Sequence, residues 1–361
     1  MFYQWLSDRS GSLPNGPPVW ICGDCHYGNL GPIANTEGEV GIQIRDLDQT
    51  VIGNPAHDLV RLAFSLASAA RGFDLPGIAT AELVEQAVDG YQSALLEPHD
   101  DKVSKPPLIK GLLRASKDRT WKHLARERIE DLSPSIPLGK RFWPLSKGER
   151  EAVEGLVAAE EVGALITALS ARAADASLKL IDAAWWVKGC SSLGLLRLAL
   201  LVEVGDGAKG REFALVDVKE AAKPKAPRAA EAKMPRDNAQ RVLEGARRLS
   251  PHLGSRMATG KLLDRSVFVR ELRPQDLKLE FAGLEPKEAA ALARFLAGVV
   301  GRAHGRQMSE ADRQEWAAEL DRRRSRTLDA PSWLWTSVVE LMSAHEAAYL
   351  EHCRRYARVV T

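Results

Sequence analysis

The stretch that decides the fold is ICGDCHYGN, residues 21–29. It supports two chemical interpretations. Cys22 to His26 form a C-x-x-C-H pattern, which is typical of covalent haem attachment. Asp24 and Asn29 overlap with it and stand five residues apart, the spacing of the aspartate and asparagine in a phosphotransfer catalytic loop. The rest of the chain has to separate these two interpretations.

Composition indicates a globular protein with a substantial core. The chain has 361 residues, of which 45% are hydrophobic and 27% are charged. These values predict one large two-lobed unit or two ordinary domains. The net charge of +2 indicates no particular partner.

Cysteine use and the N-terminal sequence predict a cytoplasmic protein. The four cysteines, at positions 22, 25, 190 and 353, do not form a disulfide framework. MFYQWLSDRSGSLPNG, residues 1–16, has no basic segment followed by an apolar one, so no signal peptide is predicted. The longest apolar run, residues 193–204, is shorter than the roughly 20 residues of a membrane span. We therefore expect no membrane partner.

The cysteines leave two metal-based alternatives open. Covalent haem of the c type is attached outside the reducing cytosol, and the sequence predicts no export there. Zinc is an alternative for Cys22, Cys25 and His26, but structural zinc takes four ligands, usually in two pairs. Cys190 and Cys353 stand alone in the sequence. The phosphotransfer interpretation is therefore favoured.

The N-terminal half is expected to begin with strands and continue with helices. Residues 17–52 predict strand, turn-rich loop and strand. A helix is predicted after Gly53-Asn54-Pro55, with Asp58 in its first turn. Further helices are predicted at 81–95 and at 148–181, where the sequence is rich in alanine.

The middle of the chain changes character. LLRLALLVEV (195–204) and REFALVDVKEA (211–221) flank a glycine-rich turn and predict a β-hairpin. In the second strand, alternation puts Asp217 and Lys219 on one face. A loop at 221–236, a helix at 237–249 and a strand at 266–272 are predicted next, and helices after Pro286.

Phosphoryl transfer from ATP needs few protein groups. A carboxylate orients the acceptor hydroxyl, hard oxygen ligands hold Mg²⁺, and a lysine holds the phosphates. Asp24 is the candidate catalytic carboxylate. Asn29, Asp46 and Asp48 are the candidate Mg²⁺ ligands, because two close carboxylates repel each other unless a cation lies between them.

Two segments carry a resemblance to known families. GDCHYGNLG (23–31) and IQIRDLDQTVIGNPAHDLVRLA (42–63) resemble the catalytic half of aminoglycoside phosphotransferases and choline-kinase-like enzymes. More closely, the chain resembles the bacterial family called domain of unknown function 2252, over about residues 17–310. That second resemblance continues through KGCSSLG, VDVKEA, QRVLEGARR, FVREL and VGRAHGRQ.

The resemblance implies an α+β, protein-kinase-like, two-lobed fold in circularly permuted order. The catalytic loop and helices would occupy residues 1–180, a β-rich nucleotide-binding part 181–285, and C-terminal helices 286–361, all within one two-lobed unit. The implied cofactors are ATP and Mg²⁺, and the implied acceptor is a small-molecule hydroxyl. AMP transfer and a non-catalytic ATP-binding protein are the alternatives. A nucleic-acid partner is not expected, because the basic 209–248 region lacks interleaved aromatic residues.

The resemblance also implies individual site residues. Lys219 would contact phosphates, with Glu244 as its helix partner. Glu244 falls off the apolar stripe of its helix, so Gln240 or another acid is an alternative. Further nucleotide-binding positions are implied at Gly189, Ser191, Ser192, Gly194, Arg270, Glu271 and Leu272. Structural support is expected from His26, Asp58 and His304.

Overall fold

The described residues form both helices and strands, with helices alone after β10, and this confirms the predicted α+β class. The structure is a computed structural model. It describes residues 1–73, 75–100, 104–128, 135–168, 172–173, 175–188, 194–205, 212–277, 279, 283–321 and 330–357. The helices are α1 (Phe2–Arg9), α2 (Ala56–Gly72), α3 (Gly77–Leu96), α4 (Pro107–Lys117), α5 (Trp121–Arg128), α6 (Lys147–Ala158), α7 (Glu160–Thr167), α8 (Asn238–Leu249), α9 (Pro251–Gly254), α10 (Pro286–Gly305), α11 (Glu310–Asp321) and α12 (Ser332–Ala357). The strands are β1 (Val19–Ile21), β2 (Leu30–Ala34), β3 (Val40–Ile44), β4 (Val51–Gly53), β5 (Phe142–Pro144), β6 (Leu178–Trp186), β7 (Arg197–Val204), β8 (Glu212–Glu220), β9 (Met257–Leu262) and β10 (Arg265–Leu272).

The largest sheet has six antiparallel strands in the order β5-β6-β7-β8-β10-β9. Helix α8 lies between β8 and β9 in the chain, and Asp237 caps it by accepting the Gln240 N–H at 2.9 Å. Strand β8 is central, so Lys219 lies between Arg197 of β7 and Phe268 of β10.

The two faces of this sheet have different coverings. Alternate residues of β7, β8 and β10, among them Val216 and Val218, form one apolar cluster with residues of α6 and α7. The opposite face carries Asp217 and Lys219 and a second apolar cluster that includes Leu124 of α5. The predicted alternation in β8 is therefore confirmed.

Two short ladders position the N-terminal loops. Strand β1 pairs with β4, and β2 pairs with β3. The 22–29 loop follows β1, and the 45–50 loop joins β3 to β4. The loops meet directly, because the Arg45 N–H donates to the Asn29 carbonyl at 2.7 Å. The 22–29 loop and the 45–50 loop, which are separate in the sequence, are thereby brought side by side.

Helices α2, α3, α10, α11 and α12 contribute to the largest apolar core cluster. It encloses a polar network, which starts at Trp316 Nε1, donating to the Tyr91 hydroxyl at 3.2 Å. The hydroxyl lies 2.9 Å from Nδ1 of His304, at the end of α10. Buried polar groups need such partners, so the network fixes how these helices pack.

Helices α3 and α10 cross with their backbones in contact. A Cβ at Gly90 would overlap the Arg294 carbonyl oxygen. We predict that Gly90→Ala destabilises the protein by about 1–3 kcal/mol or more, because the overlapping atoms are backbone. Urea unfolding measures this. Gly155→Ala is the matched control, because its Cβ meets nothing within 4 Å on α6 and alanine there should stabilise by up to about 1 kcal/mol. Equal stability of the two variants would contradict the crossing.

Most predicted elements of the second half are confirmed. The hairpin is β7 with β8, the predicted helix at 237–249 is α8, and the strand at 266–272 is β10. Residues 221–236 form no helix or strand, and α10 begins at Pro286 as expected.

The helix predicted over 148–181 is wrong at its C-terminal end. Helices α6 and α7 occupy its first part, but β6 begins at Leu178. Pairing with β7 along the strand outweighs the helix propensity of the alanine-rich sequence. The boundary predicted at residue 180 therefore falls inside a strand, and β5, α6 and α7 pack with the sheet.

Among the residues described, no helix combines the length and the apolar character required to cross a membrane.

Candidate functional site

The 22–29 loop is held from behind by Asp58, in the first turn of α2. This carboxylate is fully buried and accepts the N–H groups of Cys22 and Gly23 at 2.7 and 2.8 Å. His304 Nε2 lies 3.3 Å from the same carboxylate. Within the loop, the His26 N–H donates to the Asp24 carbonyl at 3.0 Å. Asp58 and His304 thus lie behind the loop, whereas the bond given by His26 comes from its backbone and not from its side chain.

Asp24 and Asn29 are oriented differently from Asp58. The Asp24 side chain is 38% exposed, and Arg61 Nε donates to its Oδ1 at 2.7 Å. Asn29 Nδ2 donates to the Asp24 carbonyl at 3.0 Å. This bond turns the amide oxygen of Asn29 away from the loop, where it can accept from or coordinate another group.

Asp46 and Asp48 face Lys219 across the gap between the 45–50 loop and β8. Lys219 Nζ contacts Asp48 Oδ2 and lies 3.9 Å from Asp46 Oδ2. The Asp48 N–H also donates to Asp46 Oδ1, at 3.3 Å. Lys219 is 5% exposed, so its ammonium group is buried against these carboxylates. Asp48 lies 171 positions away from Lys219 in the sequence.

Asp46 borders a cavity of about 160 Å³ between the loops and the sheet, whereas Lys219 and Asp48 line a much smaller space on its other side. Residues of the 22–29 loop, the 45–50 loop and β10 line the larger cavity together. The lining residues from these elements include Gly28, Asn29, Arg45, Asp46, Arg270 and Leu272. Lys188, which follows β6, and Arg273 and Asp276, which follow β10, also line it. The cavity therefore joins an amide oxygen and a carboxylate to several cationic side chains.

The two carboxylates of the 45–50 loop differ in pKa. Burial works to raise the pKa of Asp46. The positive charges of Lys219 and Arg270 have the larger effect and hold this pKa at about 2. Its side chain is nevertheless 47% exposed, so solvent screens these charges. Burial and the neighbouring Asp46 charge raise the pKa of Asp48 to about 6. A cation between the two would relieve this repulsion.

Arg241 of α8 holds the 45–50 loop and was missed by sequence reasoning. Its guanidinium donates to the Asp48 and Ala222 carbonyls at 3.0 Å each and also contacts the Thr50 carbonyl. Burial lowers its pKa to about 10, which leaves it charged at neutral pH. The sequence feature that could have indicated this role is the position of Arg241 beside the apolar stripe of α8.

Glu244 does not lie beside Lys219, which corrects the predicted pairing. Its exposed carboxylate pairs with Arg247 at 3.0 Å, on the same helix. The alternative, Gln240, donates to Thr259 at 2.8 Å. On α8, Arg241 is the residue that faces the 45–50 loop. The partner of Lys219 is Asp48.

Asp217, two residues before Lys219, forms a buried cluster with two arginines. Arg197 reaches it with two bonds of 3.0 and 2.7 Å, and Arg270 with bonds of 3.2 and 3.0 Å. Arg270 also donates to the Arg45 carbonyl at 3.1 Å, which ties β10 to the 45–50 loop.

We predict that Asp217→Asn costs roughly 3–5 kcal/mol, because it leaves two guanidinium groups without their counter-ion. Burial opposes ionisation of Asp217, but Arg270 and Arg197 prevail and hold its pKa below the ordinary 3.8. The stability from these ion pairs is therefore present above about pH 4 and is lost as pH falls further. Urea unfolding from pH 7 to pH 3 should show a smaller acid-induced loss in Asp217→Asn than in the parent. Parallel curves would contradict this role.

The other predicted nucleotide positions lie in four different places. The Glu271 side chain points to the opposite face of the sheet, where Arg172 binds it at 2.9 and 3.0 Å. Leu272 belongs to the apolar cluster on the Lys219 face. Gly194 has a φ of 80° and lies near Lys188. Gly189, Ser191 and Ser192 lie outside the described residues.

The two cysteines of the loop are packing residues in the structure. Cys22 and Cys25 are 1% and 0% exposed. A hydrogen bond with Cys25, together with burial, raises the pKa of Cys22, which keeps the thiol protonated. In the described ranges, no three His, Cys, Asp or Glu side chains form a group that could hold a metal. A metal at Asp46 and Asp48 would accordingly need the Asn29 amide or ligand oxygens as further donors.

Comparison with known proteins identifies the family. No curated protein matches the chain, and no solved structure matches it. Residues 1–355 match the family described as "Uncharacterized protein conserved in bacteria (DUF2252)". This match spans nearly the whole chain, from the loop that carries Asp24 to the last helix. The chain therefore belongs to the DUF2252 family.

Proposed function

We propose that this protein is an ATP- and Mg²⁺-dependent phosphotransferase with a circularly permuted, protein-kinase-like fold. The observation that carries the proposal is the meeting of Lys219 with Asp46 and Asp48 beside Asn29. A lysine, two carboxylates and an amide oxygen are the groups that phosphoryl transfer requires, and here Asp46 connects the Lys219–Asp48 pair to the cavity lined by Asn29.

The order of elements supports the same proposal. A kinase-like nucleotide lobe is expected to have a hairpin with a glycine-rich turn, then the lysine strand, then a helix. Strands β6 and β7, strand β8 with Lys219, and helix α8 follow one another in that order. The 22–29 loop, which would follow this lobe in an unpermuted kinase, precedes it here. Function tolerates this order because only the spatial assembly of the groups matters.

Asp24 is assigned the acceptor side. In the proposed step, the oxygen of the acceptor hydroxyl forms a bond to the γ-phosphorus, and the bond to the bridging oxygen of ADP breaks. Asp24 accepts the proton of the hydroxyl. Partial exposure makes it reachable, in contrast to the fully buried Asp58, and Arg61 fixes its orientation.

The donor set suits Mg²⁺. Asp46, Asp48 and the oxygen of Asn29 are hard oxygen ligands, and the raised pKa of Asp48 reflects a repulsion that a cation would relieve. When bound, Mg²⁺ would neutralise charge on the β- and γ-phosphates. Lys219 would bind phosphate from the sheet side. The acceptor is proposed to be a small-molecule hydroxyl, and the protein is proposed to be cytoplasmic.

Labelled ATP tests the proposal. Purified protein is incubated with a metabolite pool, Mg²⁺ and ATP labelled at the α- or the γ-phosphate. We expect γ-label alone to appear in a product, and we expect Asp24→Asn to bind ATP but to lose transfer. Transfer of α-label would indicate AMP transfer instead. Unchanged transfer by Asp24→Asn would exclude the assigned role of Asp24.

A further inference from the structure

The segment that leaves β10 uses its backbone carbonyls internally. In a kinase-like arrangement, Val269 to Leu272 would form the strand and hinge beside the adenine, where backbone groups would do the binding. Four carbonyls of 271–276 already accept from side chains of this chain, so a base would have to share each of these oxygens with an internal donor. The pairs are Glu271 with Arg256 (2.8 Å), Pro274 with Arg119 (2.6 Å), Gln275 with Ser116 (2.6 Å) and Asp276 with Arg45 (3.0 Å).

The apolar surface of the same sheet face is also covered. Ala199, Leu215 and Leu272 would offer a flat ring a surface on which to stack. They are 1%, 1% and 7% exposed, because side chains from α5 and β5 pack on them. Stacking a base there would require this cluster to open.

The position nearest to Lys219 on this face is charged. Asp217 occupies the place two residues before Lys219, and its one carboxylate binds both Arg197 and Arg270. A neutral, flat ring gains little from such a surface, since desolvating paired charges is costly. Base recognition is therefore disfavoured along β8 as well.

The cavity beside Asp46 is suited to phosphate. The cavity of about 160 Å³ is small beside the roughly 300–1,000 Å³ of sites that enclose a whole small molecule. Its lining includes the cationic residues Lys188, Arg270 and Arg273. Arginine and lysine bind phosphate oxygens with charge-assisted hydrogen bonds.

We propose that the cleft recognises its donor by the polyphosphate chain and leaves the base outside. This rests on the proposed phosphotransferase function. It assigns the donor class: any nucleoside triphosphate, and inorganic tripolyphosphate, binds with comparable affinity in the presence of Mg²⁺.

Competition binding tests the assignment. Dissociation constants are measured by calorimetry for ATP, GTP, inorganic tripolyphosphate and adenosine, each with Mg²⁺. We expect the first three to agree within about threefold and adenosine to give no binding. ATP tighter than both GTP and tripolyphosphate by about tenfold or more would overturn the inference and leave the phosphotransferase proposal standing. Binding by none of the triphosphates would overturn both.

A pair of variants adds a second measurement. Arg273→Gln should weaken ATP and tripolyphosphate by the same factor, about tenfold, because it removes a charged partner of phosphate. Arg294→Gln is the control, since Arg294 lies on α10 and pairs with Asp89 on the surface. An Arg273→Gln loss confined to ATP would show that this wall reads the nucleoside and would overturn the inference.

Discussion

Replacing Asp46 with asparagine should abolish the Mg²⁺-dependent stabilisation of the protein by ATP. The pKa of Asp46 is held at about 2, so at neutral pH the side chain supplies a full negative charge at the cavity. Asparagine keeps the shape and removes that charge, and hard divalent cations depend on it. Saturating ATP at about 100 times its dissociation constant stabilises a protein by about 2.7 kcal/mol, and this increment should be lost.

Thermal unfolding with and without Mg²⁺·ATP measures that loss. Without ligand, Asp46→Asn should be slightly less stable than the parent, because the lowered pKa of Asp46 means that Lys219 and Arg270 stabilise its charge in the folded state. The loss should be small, since the side chain is 47% exposed. Asp264→Asn is the matched control. Asp264 has a φ of 61° in the exposed turn between β9 and β10, a conformation that asparagine tolerates. A normal ATP response in Asp46→Asn would remove Asp46 from the site.

Asp58→Ala should have a large effect on folding. It leaves the buried N–H groups of Cys22 and Gly23 without an acceptor and removes the partner of His304. Each unsatisfied buried donor costs about 1–3 kcal/mol, so the total is roughly 3–5 kcal/mol. This is a large part of the about 5–15 kcal/mol that holds a typical domain.

Denaturant unfolding measures the effect of Asp58→Ala. Asp58→Asn should lose less, since an amide oxygen still accepts one of the two N–H groups. Asp89→Ala on α3 is the control, because Asp89 is partly exposed and pairs with Arg294 on the surface, where ion pairs contribute about 0–1 kcal/mol. Equal losses in the two alanine variants would show that Asp58 does not brace the loop.

Local patterns predicted much of this fold. Alternation in REFALVDVKEA gave β8 and the face shared by Asp217 and Lys219, and helical periodicity gave α8. These signals report the burial of neighbouring residues, which short sequence windows contain. The start of strand β6 was missed because its conformation depends on pairing with β7. The alanine-rich sequence before and within it does not show that pairing.

Partners in the candidate site could not be predicted in the same way. Periodicity places a residue on a face, but it does not say which distant residue meets it. Lys219 was expected to meet Glu244, and it meets Asp48 instead. Arg241 likewise reaches the Asp48 carbonyl over 193 positions. Spacing within the 22–29 loop identified Asp24 and Asn29 because those two residues are local to each other.

The bracing of the 22–29 loop has a consequence for synthesis on the ribosome. His304, on the far side of Asp58, is separated from it by 246 positions, and its hydroxyl partner Tyr91 is bound by Trp316. Domains fold as they emerge, at about 5–20 residues per second. The loop can thus emerge early but receive its full support only after α10 and α11 have left the ribosome. A nascent chain of this protein should therefore lack a fully braced 22–29 loop until its later helices dock.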